Sequence, residues 1–177
     1  NRSLVYEADI KGKVDRFIAE PGRGKLAKEA EDFAAILDCL VLCKFLRNCF
    51  DDFNVEVSRL YTMATGIPLT PEELVEVGER VWNLKKAFNI REGWTMADDW
   101  MPDRIFDDPV PTGPSKGSHL TRDELHMMID DYYQARGWTP EGLIPRSKLI
   151  ALGLADIAED IGVEDPAPEA VPAQEEA

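Results

Sequence analysis

The apolar residues of this chain recur mainly at the spacing of an α-helix. After Thr70-Pro71-Glu72-Glu73, apolar side chains follow one another at intervals of three or four positions: Leu74, Val77, Val81, Leu84 and Phe88. This spacing places them on one face of a helix, and we expect that face to be buried. Thr70 is suited to cap the helix, with Pro71 at its first position and Glu73 completing a capping box.

Further helices are predicted between breaks rich in proline and glycine. The pattern predicts helices over about 25–48 and 55–65, from the capping box at Thr121 to about 136, and from about 146 to 160 with a possible break at Gly153. No alternating apolar and polar run typical of a strand is present, so the predicted fold class is all-α. Residues 93–119 are predicted to be a long Pro/Gly-rich crossing, and loops of that length usually carry function or pack over another domain.

The charge of the chain excludes some functions. Its 177 residues contain 20 Lys and Arg against 34 Asp and Glu, a net charge of −14, which argues against nucleic acid as a partner. No apolar run reaches the roughly 18 residues that a membrane span requires. Acidic residues and prolines are concentrated at the end of the chain, where no Lys or Arg follows Lys148. We therefore expect a helical domain over 1–162 and a disordered acidic tail over 163–177.

One charged residue, Asp38, interrupts the otherwise apolar segment 33–43. A helix that is apolar on every face is usually buried, so we expect Asp38 to be buried and therefore protonated, ion-paired or hydrogen-bonded. A buried and partnered carboxylate is a candidate site residue. An equally good explanation is an Asp that pairs with an Arg of a neighbouring helix, or one that marks a helix end.

Three cysteines, Cys39, Cys43 and Cys49, lie within eleven residues. Their odd number does not suggest a disulfide framework and favours a reducing compartment, the cytoplasm. Cys39 and Cys43 are four residues apart and can face the same side of a helix, but two histidines and three cysteines are too few for the usual closed metal site. Two interpretations remain: buried and inert thiols, or one cysteine that completes a site whose other ligands lie elsewhere.

Several segments together resemble one enzyme family. Asp38-Cys39-Leu40-Val41-Leu42-Cys43 resembles the Asp-Ser-Leu-Gly-Leu-Cys motif near the C-terminus of the tungsten-containing aldehyde ferredoxin oxidoreductases. Later segments resemble the family in the same order: Gly78–Leu84, Phe88–Gly93, Met101–Arg104, Tyr132–Trp138 and Lys148–Leu154. The resemblance covers about residues 25–155. This chain departs from the motif at Cys39, where the family has Ser, and at Val41, where the family has Gly.

The resemblance implies a set of cofactors and the residues that would hold them. Members of this family bind tungsten through two pterin dithiolenes, beside a [4Fe–4S] cluster that takes three of its cysteines from a preceding domain. By this resemblance Cys43 is the fourth cluster ligand, and Asp38 hydrogen-bonds a pterin. Leu42 and Lys44 flank the ligand and are expected to approach the pterin. The chain would then be the last helical domain of a longer enzyme.

The resemblance also implies an activity. The whole enzyme is expected to oxidise an aldehyde to its carboxylic acid and to pass electrons to ferredoxin or an electron-transfer subunit. An oligomer is one assembly expected for it. The family's general-base glutamate and nearby histidine correspond to sequence outside this chain, so no catalytic residue is assigned here. The departures at Cys39 and Val41 leave open a tungsten-dependent reductase of aromatic thioesters, of the benzoyl-CoA type. A non-enzymatic helical interaction module is the alternative from another functional class.

Overall fold

The fold is described from a computed structural model, which covers residues 18–166. Within that range the chain forms seven α-helices and two short 3-10 helices, and no strand. The α-helices are α1 (Arg23–Cys39), α2 (Phe53–Thr65), α3 (Pro71–Arg91), α4 (Arg104–Asp107), α5 (Arg122–Arg136), α6 (Arg146–Ala151) and α7 (Ala155–Ile161), and the 3-10 helices are Lys44–Asn48 and Met96–Asp99. The predicted all-α fold class is therefore confirmed.

Capping boxes explain where two of the predicted helices, α3 and α5, begin. At the start of α3, the Thr70 hydroxyl accepts a hydrogen bond from the Glu73 N–H at 3.1 Å, and the Glu73 carboxylate accepts one from the Thr70 N–H at 2.7 Å. Thr121 and Glu124 repeat the arrangement at the start of α5. These bonds to the ionised carboxylate lower the pKa of Glu73. Both predicted capping boxes are confirmed.

The helix predicted over 25–48 is shorter than its pattern indicated. α1 ends at Cys39, and a separate 3-10 helix follows after a turn. The prediction of one continuous helix is wrong because Val41 adopts a left-handed conformation, with φ of 54°, which no α-helix can contain.

Helix α1 lies at the centre of the domain and packs against α3 and α5. Two glycines permit the close contact. A Cβ on Gly78 of α3 would lie 2.6 Å from the backbone oxygen of Asp32, and one on Gly24 of α1 would lie 2.5 Å from the backbone of Asp131. The backbones thus approach one another more closely than any larger residue would allow.

A buried ionic network holds the same three helices together. Arg136 of α5 is fully buried and donates to Asp32 of α1 at 2.6 Å and to Glu31 at 2.7 Å. Lys28 of α1 pairs with Asp32 at 2.9 Å and with Glu79 of α3 at 3.5 Å. Because each buried charge has an opposite charge beside it, the network avoids the cost of an isolated buried ion.

The apolar face predicted on α3 is only partly buried. Leu74 is 1% exposed, but Leu84 is 42% and Phe88 is 55% exposed, so the prediction is wrong for the second half of the helix. The face that packs inward carries Leu74, Gly78, Asn83, Lys86 and Ala87. Polar residues can occupy it because they are paired: Asn83, for example, accepts a hydrogen bond from the Trp138 indole at 2.9 Å.

The main apolar core lies between the C-terminal half of α3 and the last three helices. Its buried members are Ala87, Tyr133, Trp138, Ile144, Leu149, Ala158 and Val163. Val163 belongs to the predicted tail. Asp165, two residues later, accepts hydrogen bonds from the Ser147 backbone N–H at 2.8 Å and from the Ser147 hydroxyl at 2.7 Å. The rest of that predicted tail, from residue 167, lies outside the described residues.

The predicted crossing over 93–119 is irregular apart from two short helical turns, Met96–Asp99 and α4. It packs back onto this same domain. The ring of Trp100 lies 5.3 Å from that of Phe106 and 4.9 Å from that of His126 on α5, and Arg122 of α5 pairs with Asp107 at 3.0 Å. The crossing therefore helps to form one side of the helical domain.

Candidate functional site

The predicted site residues lie together at the C-terminal end of α1. The helix ends in a Schellman motif: the Leu42 N–H donates to the Leu37 carbonyl at 2.9 Å, and the Val41 N–H donates to the Asp38 carbonyl at 3.1 Å. Cys43 follows immediately in extended conformation and precedes the 3-10 helix that begins at Lys44. The hydrogen-bonded turn thus determines where the Cys43 thiol reaches the surface of the domain.

Leu42 anchors this turn to the protein. Its half-buried side chain packs against the second apolar cluster, formed by Ile36, Val57 and Leu74. The residues on either side, Val41 and Cys43, are exposed. An anchored residue beside an exposed thiol gives Cys43 a defined position at the surface, as a ligand to a group outside this domain requires.

The expectation that Asp38 is buried is wrong, and so is the interpretation of the cysteines as buried thiols. The Asp38 side chain is exposed on the last turn of α1, where the apolar neighbours Ala35, Ile36 and Leu37 are buried. All three cysteines are exposed free thiols as well. The physical reason is that α1 ends at Cys39 and no helix continues into the core beyond it. Some apolar side chains of residues 38–43 therefore pack against the domain, and the others face outward.

Two large apolar side chains close to Cys43 in sequence are also exposed. Val41, two residues before it, is 90% exposed, and Phe45, two residues after it, is 85% exposed. Exposed apolar residues of this kind are typical of a surface that another protein segment covers.

Within residues 18–166, no group of three or more Cys, His, Asp or Glu side chains is arranged to hold a metal ion. A cluster held by four thiolates would therefore need ligands from outside the described residues. Cys43 can supply one of the four because its thiol is exposed and is not in a disulfide. Asp38 also fits, since its exposed carboxylate is available to accept hydrogen bonds from a group outside the domain.

Sequence reasoning missed a second polar group, at the other end of the domain. Lys86 of α3 is buried beside Asp99, with 3.7 Å between the Lys86 Nζ and the nearer carboxylate oxygen. Asp99 also accepts a hydrogen bond from the Tyr133 hydroxyl at 2.6 Å. The predicted apolar face of α3 lies on the opposite side of this helix from Lys86. The sequence signal that would have indicated Lys86 is the set of aromatic residues around it.

Comparison with known proteins identifies the family. A family model described as aldehyde ferredoxin oxidoreductase, domains 2 and 3, matches residues 1–154, which is most of the chain. This chain belongs to the aldehyde ferredoxin oxidoreductase family. The resemblance on which the sequence prediction depended is confirmed.

Several relatives in the family carry tungsten in their names. The chain is 39% identical to the tungsten-containing aldehyde ferredoxin oxidoreductase of Pyrococcus furiosus over 129 residues, which are 71% of this chain and 20% of that protein. It is 36% identical to the enzyme of the same name from Thermococcus kodakarensis, with the same coverage. A more distant relative, 26% identical over 167 residues, is the aliphatic sulfonate oxidoreductase, WOR-like subunit, of Pyrococcus furiosus. The chain spans about a fifth of the length of the first two relatives.

A solved structure confirms the helical arrangement. The active site complex BamBC of benzoyl coenzyme A reductase, in complex with 1,5-dienoyl-CoA, superimposes with a TM-score of 0.63 over 77% of this chain and 20% of the solved chain. The sequence identity is 21%, so this likeness shows the fold alone. None of the helices between residues 18 and 166 is both long and apolar enough to cross a lipid bilayer.

Proposed function

We propose that this chain is the C-terminal helical part of a longer tungsten enzyme that oxidises aldehydes to carboxylic acids. Its electrons would pass to ferredoxin or to an electron-transfer subunit. The observation that carries the proposal is the exposed Cys43 thiol on an anchored turn, in a chain whose relatives are tungsten-containing aldehyde ferredoxin oxidoreductases.

In this proposal each residue of the turn has a separate role. Cys43 supplies one thiolate to a [4Fe–4S] cluster whose other three cysteines lie in a preceding domain. Asp38 accepts a hydrogen bond from a pterin, and Leu42 and Lys44 flank the ligand on the pterin side. When bound, the tungstopterin and the cluster supply the redox chemistry, while the protein supplies position and electrostatics.

The exposed apolar surface around Cys43 supports the same proposal. Val41 and Phe45 would be covered by the preceding domain, which would exclude water from the cluster. Burial and the surrounding hydrogen bonds are among the factors that set the reduction potential of an iron–sulfur cluster. The turn would thus supply one ligand and part of the apolar surroundings of the cluster.

A second candidate is a tungsten-dependent reductase of aromatic thioesters. The departures from the family motif at Cys39 and Val41 leave it open, and the solved structure that shares the fold of this chain, at 21% identity, is a benzoyl coenzyme A reductase complex. The two candidates differ in substrate and share the cofactors, so they make the same prediction for Cys43. They are separated by supplying the full-length enzyme with an aldehyde or with an aromatic CoA thioester and following which one is consumed.

Metal analysis of the full-length protein, purified without oxygen, tests the cofactor assignment. We expect about one tungsten and about four iron atoms per chain. Cys43→Ala should lose most of the iron and the visible absorption of the cluster. Cys49→Ala is the matched control, because Cys49 is also an exposed free thiol at the opposite end of the same 3-10 helix.

The outcomes discriminate between the hypotheses. Full iron content and full activity in Cys43→Ala would overturn the ligand assignment. Absence of both tungsten and iron from the folded wild-type enzyme would instead favour the non-enzymatic helical interaction module. If Cys43→Ala and Cys49→Ala lost iron equally, the effect would be general damage to the turn, and the specific role of Cys43 would be refuted.

A further inference from the structure

The cavity that contains Lys86 lies between α1, α3, α5 and the segment after α3. Its volume is about 560 Å³, and five aromatic side chains line it: Trp82, Trp94, Tyr132, Tyr133 and Trp138. Ala27 of α1 also lines it and lies twelve residues before Cys39, so the cavity is about 18 Å along the helix from the end that carries Cys43. A cavity of this size is large enough for a small organic molecule.

Lys86 carries the reactive group of this cavity. Its side chain is 6% exposed, and its ammonium lies over the ring of Trp94, 4.8 Å from the centre of the Trp138 ring. Burial lowers the pKa of Lys86 from its ordinary 10.5 to about 8, although the negative charge of Asp99 opposes that shift. A lysine in such surroundings has a substantial fraction of neutral, nucleophilic amine near neutral pH.

Asp99 is held in position to exchange a proton with that amine. One of its carboxylate oxygens accepts a hydrogen bond from the Trp94 indole at 3.1 Å, and the other accepts one from the Tyr133 hydroxyl at 2.6 Å. The second oxygen is also the one 3.7 Å from the Lys86 Nζ. Gly142 makes room for this arrangement, because a Cβ there would lie 2.7 Å from both Trp94 and Tyr133.

We infer that this cavity binds small apolar aldehydes and ketones, and that Lys86 forms a reversible imine with them. The aromatic walls would receive the apolar body of the molecule, and the amine would meet its carbonyl carbon. This site goes beyond the proposed tungsten chemistry and does not require it, since no electron is transferred.

The reaction balances with groups that the cavity contains. The neutral Lys86 amine adds to the carbonyl carbon, and Asp99 takes one proton from the nitrogen and delivers it to the former carbonyl oxygen, which gives a carbinolamine and restores the Asp99 carboxylate. Asp99 then takes the second nitrogen proton and delivers it to the carbinolamine hydroxyl, which leaves as water as the C=N bond forms. The product is an imine and one water molecule, and hydrolysis reverses the reaction.

Reductive trapping in the full-length protein tests the inference. The protein is incubated with benzaldehyde and sodium cyanoborohydride at pH 7.5, and benzylated lysines are located by peptide mass spectrometry. The matched control is Lys25 of α1, whose side chain is 77% exposed and which does not line the cavity. We expect benzylation of Lys86 to be at least about tenfold faster than that of Lys25, because each unit by which the pKa of Lys86 is lowered raises its neutral fraction about tenfold.

Three further comparisons separate a cavity with proton transfer from a lysine that is merely reactive. Formaldehyde needs no aromatic wall, so the preference for Lys86 over Lys25 should be smaller with formaldehyde than with benzaldehyde. Asp99→Asn should slow the benzylation of Lys86 at least about tenfold, in the range of general acid–base contributions, while leaving that of Lys25 unchanged. Lys86→Arg should abolish the modified peptide in protein whose circular dichroism spectrum is unchanged.

The results that overturn the inference are equally definite. Benzylation of Lys86 no faster than that of Lys25 would refute imine formation in the cavity. An equal preference with both aldehydes would refute the aromatic binding site, and an unchanged rate in Asp99→Asn would refute the proton transfer. None of these results depends on tungsten content, so failure here is distinguishable from failure of the proposed oxidoreductase function.

Discussion

Replacing Val41 with glycine is expected to stabilise this protein. Val41 follows the end of α1 with φ of 54°, a left-handed conformation that costs an L-amino acid about 1–2 kcal/mol. A β-branched side chain is especially unfavourable there. The Val41 side chain is 90% exposed, so its removal sacrifices almost no buried apolar surface. Glycine adopts the same conformation without the steric cost.

The net effect follows from two opposing contributions. Glycine relieves the strain of about 1–2 kcal/mol, but it increases the conformational entropy of the unfolded chain by about 0.4–1 kcal/mol. The difference is a stabilisation of about 1 kcal/mol. For a domain of this size we expect the melting temperature to rise by about 2–4 °C.

Urea and thermal unfolding of the purified protein, followed by circular dichroism, measure the effect. Stability should follow the order Gly, Asn, Ala, Val at position 41, because asparagine tolerates the left-handed region better than alanine does. Val75→Gly is the matched control: Val75 is an exposed position within α3, and glycine there should destabilise by roughly 0.5 kcal/mol. If Val41→Gly were destabilised as much as Val75→Gly, the assigned strain would be refuted.

Three other substitutions test the packing and the electrostatics of the domain. Gly78→Ala should lower the free energy of unfolding by about 1–3 kcal/mol in urea titrations, because its Cβ would lie 2.6 Å from the Asp32 backbone oxygen; an unchanged midpoint would contradict this close contact. Arg136→Ala should lower the free energy of unfolding by about 3 kcal/mol or more, because Asp32 and its neighbours lose a buried cation. Loss of the exposed Arg80 should change that free energy by less than about 1 kcal/mol. Similar losses in the two variants would argue against the buried network. The pKa of Lys86 is lowered to about 8 in the folded protein from its ordinary 10.5, so the unfolded chain binds more protons between these two pH values. The free energy of unfolding should therefore rise from pH 8 towards pH 10. Lys86→Met should remove that rise, and an identical pH profile in the variant would refute it.

Helix starts were predictable because their causes are local. Each capping box lies within four consecutive residues, and the structure forms both as the sequence indicated. The end of α1 was not predictable from its apolar run. Val41 stops the helix although it is not a residue that usually stops one, and the anchoring of Leu42 against α2 and α3 supports a turn that local propensity disfavours.

Burial could be predicted only where a residue's surroundings follow from its own helix. Apolar residues spaced along α3 predicted an inward face, yet Leu84 and Phe88 are exposed while Lys86 is buried. The choice of face depends on which helix packs against it, and Gly78 permits contact with α1 on the other side. The exposure of Asp38 and Cys43 has the same origin, since no described part of this chain covers these two side chains, although Leu42 between them packs against α2 and α3.

The sequence by itself determined the helical class, the capped helix starts and the family, because these depend on residue types at short spacings and on motifs in a conserved order along the chain. Only the tertiary structure decided where α1 ends, which face of α3 is buried, and that Lys86, Asp99 and Tyr133 meet in one cavity. Those three residues come from separate segments of the chain. Their proximity depends on contacts between helices, which no local pattern of apolar and polar residues records.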